Sequence, residues 1–178
     1  HLYRSLTLAD ALVNMGQSAH FLINAHEPSL NILKSRGYTF DIVDLASTHE
    51  GWELEIVQRL RATAWVNDRL DTTAAHVERV KALGLPVVTF DDRGSGAAKS
   101  DLNVAALAFD PREVAALKGG QVLYGVDYLV INPAISRFRR VRARIDSALV
   151  TLGGADTHGV TLKVVPLLKD KPWRVTVL

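Results

Sequence analysis

The feature that most constrains the fold of this chain is a regular alternation of strand-like and helical patterns. Short apolar runs recur about every 20–25 residues, and amphipathic stretches with apolar residues three and four apart separate them. Strands that alternate with helices form βαβ units, whose right-handed crossovers produce a parallel sheet covered by helices on both faces. We therefore predict an α/β fold built on a parallel sheet. The predicted helices cover residues 2–15, 29–36, 50–61, 72–83 and 156–168, and the predicted strands cover residues 18–23, 38–43, 63–66, 86–90, 102–106, 148–152 and 173–178.

The composition excludes several classes of protein. The chain has 178 residues, of which 48% are hydrophobic and 22% charged, as is typical of a globular protein with its own core. The chain has no cysteine, which excludes disulfides, Cys-ligated zinc, iron–sulfur clusters and thiol nucleophiles. A formal net charge of +2 gives no argument for a nucleic-acid or membrane partner. Because the sequence shows neither an apolar run of about 18 residues nor a secretory leader pattern, we expect a cytoplasmic protein without a transmembrane segment.

The two ends of the sequence indicate a fragment of a longer protein. The chain opens at His1 directly on a helical pattern, with no strand-like run before it. It stops at Leu178 inside an apolar, strand-like run, whose backbone donors and acceptors would need partners. We therefore expect further chain on both sides of these residues.

A basic stretch at residues 137–144 carries five arginines in eight residues. The nearly neutral charge of the whole chain favours a solvated helix or an interdomain connector, and a patch that binds phosphate or acidic lipid is the alternative. A strand–Gly-Gly–helix pattern begins directly after the stretch, so a domain boundary near residue 145 is predicted.

The N-terminus of the first predicted helix is the strongest candidate site. His1 lies at that terminus, and Arg4 follows one turn later on roughly the same face. The partial positive charge of a helix N-terminus disfavours imidazolium, so a histidine there tends to stay neutral and basic, and the same terminus attracts anions. The alternative interpretation is a frayed terminus with a solvated arginine.

Four stretches of the sequence, in this order, resemble the motifs of one known family. Residues 1–4, His-Leu-Tyr-Arg, with Leu8-Ala9 and Leu12, resemble the end of a G-x-G-H-x-x-R-x-x-x-L-A motif. Three later stretches correspond to two acidic strand ends and a strand–Gly-Gly–x-Asp–helix unit. The family comprises the UDP-sugar hydrolases of pseudaminic-acid biosynthesis and the related spore-coat polysaccharide biosynthesis proteins. The three later stretches are residues 66–72, 90–102 and 149–162.

The resemblance implies a two-domain glycosyltransferase-B architecture, shared with the peptidoglycan N-acetylglucosaminyltransferase. Residues 1–143 would then form most of an N-terminal Rossmann-like domain that lacks its first strand and glycine loop. Residues 144–178 would form the incomplete start of a C-terminal nucleotide-binding domain. The implied partner is a UDP-sugar, with no cofactor and no metal.

The family resemblance also implies roles for individual residues. His1 would be the general base that activates water against the anomeric carbon, releasing UDP with inversion. Substrate-binding residues would be Arg4 and four side chains at predicted strand ends, and the diphosphate would lie at a glycine turn and helix N-terminus in the second domain. The strand-end residues are Asn67, Asp68, Asp71 and Asp92, and the nucleotide-binding residues are Gly153, Gly154, Asp156 and Thr161.

The residues themselves leave alternatives open. Asp71 and Asp156 are also suited to capping the helices that follow them, and Asp91 fits a turn as well as a site. A glycosyltransferase that passes the sugar to a hydroxyl acceptor would need the same base, and a nucleotide-sugar-binding module without turnover would need only the cleft. The histidines at 20, 26 and 49 do not have metal-ligand spacing.

Overall fold

The computed structural model describes residues 1–152, 156 and 158–178, and its secondary structure follows the predicted alternation. All pairs of hydrogen-bonded strands in the described chain are parallel, so the fold is mixed α/β and consistent with a Rossmann-like domain. None of the described helices combines the length and the apolar character that crossing a membrane requires. The helices are α1 (Leu2–Asn14), α2 (Glu27–Ser35), α3 (Trp52–Leu60), α4 (Ala74–Ala82), α5 (Pro111–Ala116) and α6 (Val160–Leu167). The strands are β1 (His20–Ile23), β2 (Thr39–Ile42), β3 (Trp65–Asn67), β4 (Val87–Phe90), β5 (Leu102–Ala105), β6 (Gln121–Tyr124), β7 (Ser147–Val150) and β8 (Arg174–Val177).

The strands form three separately hydrogen-bonded sheets within two compact units. Unit 1, His1–Pro133, contains the pair β1-β2 and the four-stranded sheet β3-β4-β5-β6, whose strands lie side by side in chain order. Unit 2, Ala134–Leu178, contains the pair β7-β8 and α6. The predicted domain boundary between residues 143 and 144 stays a prediction. The boundary between the two compact units lies earlier, after Pro133, so the arginine stretch at residues 137–144 belongs to unit 2.

The sequence prediction missed α5 and β6. The signal for α5 was present, because Asp110 caps the helix by accepting a hydrogen bond from the backbone of Arg112, and Pro111 occupies its first turn. Strand β6 has only four residues, and the sequence prediction assigned no element to them. The arginine stretch forms no α-helix: a 3₁₀ turn over Pro133–Phe138 is followed by irregular chain.

The core of unit 1 lies between the four-stranded sheet and helices α3 and α4. Its centre is an edge-to-face pair of indoles, Trp52 and Trp65, with ring centroids 5.8 Å apart. Val77 and Val80 on α4 and Val87 on β4 are fully buried against this pair. The spacing of three residues between Val77 and Val80 places both on one face of α4, which is why this helix packs on the sheet.

A buried polar network extends from this core. Glu53 on α3 is fully buried, and its carboxylate accepts hydrogen bonds from Arg79 (Nη2–Oε1, 2.7 Å) and contacts His76 (Nδ1–Oε1, 2.8 Å). On the other side of the ring, His76 Nε2 lies 3.2 Å from the Asn67 side-chain oxygen, which also accepts from the Trp65 indole. Burial opposes the ionisation of Glu53, but the hydrogen bonds from Arg79 and His76 outweigh it and hold the pKa of Glu53 below its usual value.

Removing the Glu53 carboxylate is expected to destabilise unit 1 strongly. Glu53→Ala leaves Arg79 and the buried His76 without their anion, which costs about 3–5 kcal/mol of unfolding free energy. Glu55→Ala is the matched control on the same helix, because the Glu55 carboxylate is exposed and its contact with His49 contributes at most about 1 kcal/mol. Urea unfolding followed by circular dichroism measures both variants. Equal losses in the two would contradict the role given to Glu53.

The buried His76 is expected to make stability fall with acid. Burial lowers the pKa of His76, and the hydrogen bond to Glu53 opposes this only in part. Since the unfolded chain then binds more protons, the unfolding free energy falls as pH drops below about 6.5. His76→Gln should flatten the dependence between neutral and mildly acidic pH, measured by urea unfolding. His26→Gln changes an exposed histidine and should keep the wild-type slope of unfolding free energy against pH. If His76→Gln also kept that slope, His76 would not be the cause of the pH dependence.

Candidate functional site

Three of the predicted site residues meet at the carboxyl edge of the four-stranded sheet. Asp68 directly follows β3, and its side chain is 10% exposed. His1, the N-cap residue of α1, places its Nδ1 atom 2.6 Å from Asp68 Oδ1. Arg4 donates from Nε to Asp68 Oδ2 at 3.0 Å, and Ser5 donates from its hydroxyl to the same oxygen at 2.8 Å. The N-terminal turn of α1 thus surrounds a single carboxylate with three donors.

Arg4 also joins the ends of two strands. Besides its contacts with Asp68, its guanidinium donates to the carboxylate of Asp91, the residue after β4. The guanidinium carbon lies 5.2 Å from the ring centroid of Phe90, a cation–π contact. The hydrogen bond to Asp68 raises the pKa of Arg4, burial opposes the rise, and Asp91 adds to it. Arg4 is therefore a permanently charged link between α1, β3 and β4.

The geometry selects one tautomer of His1. A carboxylate only accepts hydrogen bonds, so the proton of a neutral His1 ring belongs on Nδ1, which faces Asp68. That leaves the lone pair on Nε2, for which no partner occurs among the described residues, on a side chain that is half exposed. The arrangement can accept a proton from solvent or ligand, and Asp68 would then stabilise the imidazolium.

Asp91 also belongs to this cluster. The sequence alone left two interpretations of Asp91 open, a turn residue and a site residue. Its φ of +48° lies in the left-handed region, which Asp tolerates better than most residues. Its backbone N–H donates to Val104 at 2.8 Å, and its carboxylate accepts from the backbone of Leu107 at 3.3 Å. The signal for it was the pair of acidic residues directly after a buried strand, but only the turn geometry selects Asp91 as the partner of Arg4.

The structure places the other predicted substrate-binding residues in different surroundings. Asn67 is buried in the network with Trp65 and His76, on the α3 and α4 side of the sheet. Asp71 is exposed and pairs with Arg69, two residues before it. Asp92 is 4% exposed, and its Oδ1 atom accepts from the backbone of Thr72 and of Gly94. Their roles toward a sugar stay predictions, and none of the three forms a hydrogen bond or ion pair with the side chains of His1 and Arg4.

The predicted nucleotide-binding residues belong to unit 2. Gly153 and Gly154 lie outside the described residues. The carboxylate of Asp156 accepts hydrogen bonds from the backbone of Val160 (2.8 Å) and of Thr161 (2.7 Å), in the first turn of α6. These N–H groups, led by that of Thr161, hold the pKa of Asp156 below its usual value. The anion at this helix N-terminus is thus the chain's own carboxylate, at the position where the resemblance implies a diphosphate.

Two glycines allow the loop after β4 to pack closely against the loop after β3, which carries Asp68. The segment after β4 donates two backbone hydrogen bonds to the segment after β3, from the N–H of Arg93 to the carbonyl oxygen of Leu70 at 2.9 Å and from the N–H of Gly96 to that of Thr72 at 2.8 Å. A methyl group on Gly94 would lie 2.7 Å from backbone atoms of both Asp71 and Thr72, and one on Gly96 would lie 2.8 Å from the Thr73 carbonyl oxygen. The two loops can approach this closely only because these positions lack side chains.

Gly94→Ala is expected to separate the two loops. Overpacking of this kind costs about 1–3 kcal/mol and should shift the backbone amide resonances of Thr72 and Arg93, measured by thermal unfolding and ¹⁵N NMR. Gly37→Ala is the comparison variant, because Gly37 has open space around it and only a positive φ of +75°. It should lose about 1–2 kcal/mol for that backbone conformation and leave the two resonances in place. Unshifted resonances in Gly94→Ala would contradict the tight loop packing.

Among the described residues, no group of three His, Asp or Glu side chains is arranged to hold a metal ion. Comparisons of the chain with protein-family models, with curated proteins and with solved structures find no match.

Proposed function

We propose that this protein is a nucleotide-sugar hydrolase that releases UDP from a UDP-amino sugar, with His1 as the general base. The observation that carries the proposal is the 2.6 Å contact between His1 Nδ1 and Asp68 Oδ1 at the carboxyl edge of a parallel sheet. Ligands of open α/β sheets bind at this edge. The pairing also joins two residues that belong to separate motifs of the resemblance.

In the proposed reaction, His1 Nε2 removes a proton from a water molecule, and the water oxygen attacks the anomeric carbon of the sugar. The bond from that carbon to the diphosphate oxygen breaks, so UDP leaves with the bonding electrons and the sugar is released with inverted configuration. Asp68 stabilises the imidazolium that forms, as carboxylates do in histidine–carboxylate pairs. Proton removal of this kind contributes about 10²–10⁴-fold to the rate.

The surroundings of Asp68 support its proposed role. Arg4 and Ser5 bind the carboxylate from the α1 side, so its Oδ1 atom is held toward His1. The Nε, Nη1 and Nη2 atoms of Arg4 already donate to Asp68 and Asp91. We therefore propose a structural role for Arg4, in which it links α1 to these two carboxylates. In the proposal, the diphosphate is bound by other residues, and the roles of Gly153, Gly154, Asp156 and Thr161 toward a nucleotide stay predictions.

His1→Ala should reduce kcat for UDP release by about 10²–10⁴-fold, because it removes the base. Asp68→Asn should also reduce kcat, since an amide can donate to Nδ1 and stabilise the wrong tautomer. His26→Ala is the matched control: His26 is also a helix N-cap residue, but it contacts only Ser29 among the described side chains and should keep full activity. The assay incubates the protein with a panel of UDP-amino sugars and follows UDP release.

Three outcomes separate this proposal from its alternatives. Full turnover in His1→Ala would show that His1 is not the general base. UDP release that requires an added sugar or lipid hydroxyl would indicate a glycosyltransferase that uses the same base. Saturable binding of the whole panel without release would indicate a nucleotide-sugar-binding module. For hydrolysis, ¹H NMR of the first product formed should show the anomer opposite to that of the donor.

A further inference from the structure

The charge of this chain is unevenly divided between its two units. Unit 2, Ala134–Leu178, carries nine Lys and Arg residues against three Asp and Glu, a formal charge of +6. Unit 1 therefore carries a formal charge of −4, and the value of +2 for the whole chain hides the difference. Unit 2 is thus strongly basic for its size, and five of its nine cationic side chains lie in residues 137–144.

Four of those arginines surround a concavity. A depression of about 230 Å³ is lined by Arg137, Phe138, Arg139, Arg140 and Arg142. The Arg137 guanidinium lies 4.7 Å from the ring centroid of Phe138, over the aromatic face, and among the described residues no acceptor occupies its N–H groups. The irregular backbone after the 3₁₀ turn brings consecutive arginines to one depression, whereas a helix would have spread them around its axis.

The arginines of this stretch differ from most others in the chain because they have no counter-charge. Every Asp and Glu of the chain is among the described residues, and none lies within ion-pair distance of an arginine in residues 137–144. Seven arginines of unit 1 do pair with carboxylates: Arg4, Arg36, Arg59, Arg69, Arg79, Arg93 and Arg112.

From these observations we propose that the arginine concavity of unit 2 is a binding site for a phosphoryl group, most suitably a diphosphate. Guanidinium groups bind phosphoryl oxygens through paired, charge-assisted hydrogen bonds, and several of them together match the charge of a diphosphate. The volume is smaller than that of sites for drug-sized ligands, which fits a small anion. Binding would relieve the mutual repulsion of unpaired cations, and the inference does not depend on the proposed hydrolysis.

The test is a calorimetric titration of the full chain with inorganic pyrophosphate, at low and at physiological salt. We expect saturable binding that weakens as salt rises. Arg139→Gln/Arg142→Gln should weaken it at least about tenfold, since charge-assisted hydrogen bonds are lost. Both side chains are exposed in irregular chain, so the circular dichroism spectrum and the unfolding midpoint should not change.

The control variant Lys171→Gln/Arg174→Gln removes the same charge from the same unit but outside the concavity. It should weaken pyrophosphate binding by less than about twofold. An equal loss in the two double variants would overturn the site in favour of general attraction to a basic unit, and so would the absence of saturable binding.

Two further titrations test a lipid as the source of the phosphoryl group and a nucleic acid as the competing partner. Phosphatidic acid vesicles, compared with phosphatidylcholine vesicles, test a lipid headgroup; binding that depends on phosphatidic acid and on Arg139 and Arg142 would support the site with a lipid source. Binding of a single-stranded oligonucleotide that is much tighter than pyrophosphate binding, at equal phosphate concentration, would overturn the proposal in favour of a nucleic-acid surface.

Discussion

The contacts of Arg4 with two carboxylates are the constraint on which the candidate site depends. Asp68 and Asp91 follow neighbouring parallel strands, so their negative charges lie at the same edge of the sheet. Without a cation between them they would repel each other in partly buried surroundings. Arg4 supplies that cation from the first turn of α1 and thereby fixes the helix end that carries His1. The position of the proposed base is thus a consequence of charge neutralisation.

A second polar network stabilises the packing of α3 and α4 against the same sheet. The buried carboxylate of Glu53 joins α3 to α4 through His76 and Arg79, and Asn67 connects this network to β3. Asn67, the last residue of β3, therefore lies in this buried network, whereas the next residue, Asp68, contacts His1 and Arg4. Neighbouring residues with similar side chains consequently have different surroundings: one lies in the core and the other contacts the candidate base.

The sequence predicted the coarse fold class, a mixed α/β chain with parallel sheets, and it named some of the residues that the structure brings together. Apolar runs spaced by amphipathic helices identified the described helices and strands except α5 and β6, because burial against a sheet requires those patterns. The N-terminal motif and an acidic strand end named His1, Arg4 and Asp68 as separate candidates; the structure brings their side chains into contact, and their roles toward a substrate stay predictions. Asn67, Asp71 and Asp92 show why a loop motif is a weaker guide, since the direction of each side chain depends on pleat, turn geometry and neighbouring loops.

By itself, the sequence determined the alternation of elements, the parallel sheets that follow from it, and the residue types available for proton transfer. Tertiary structure alone decided that His1 faces Asp68 through Nδ1, that Arg4 is committed to two carboxylates, and that Asp156 accepts from the first turn of α6. It also divided a nearly neutral chain into an acidic and a basic unit. Periodicity is a local property that burial imposes on a chain, whereas ion pairs between distant residues depend on the angles and distances at which packed elements meet.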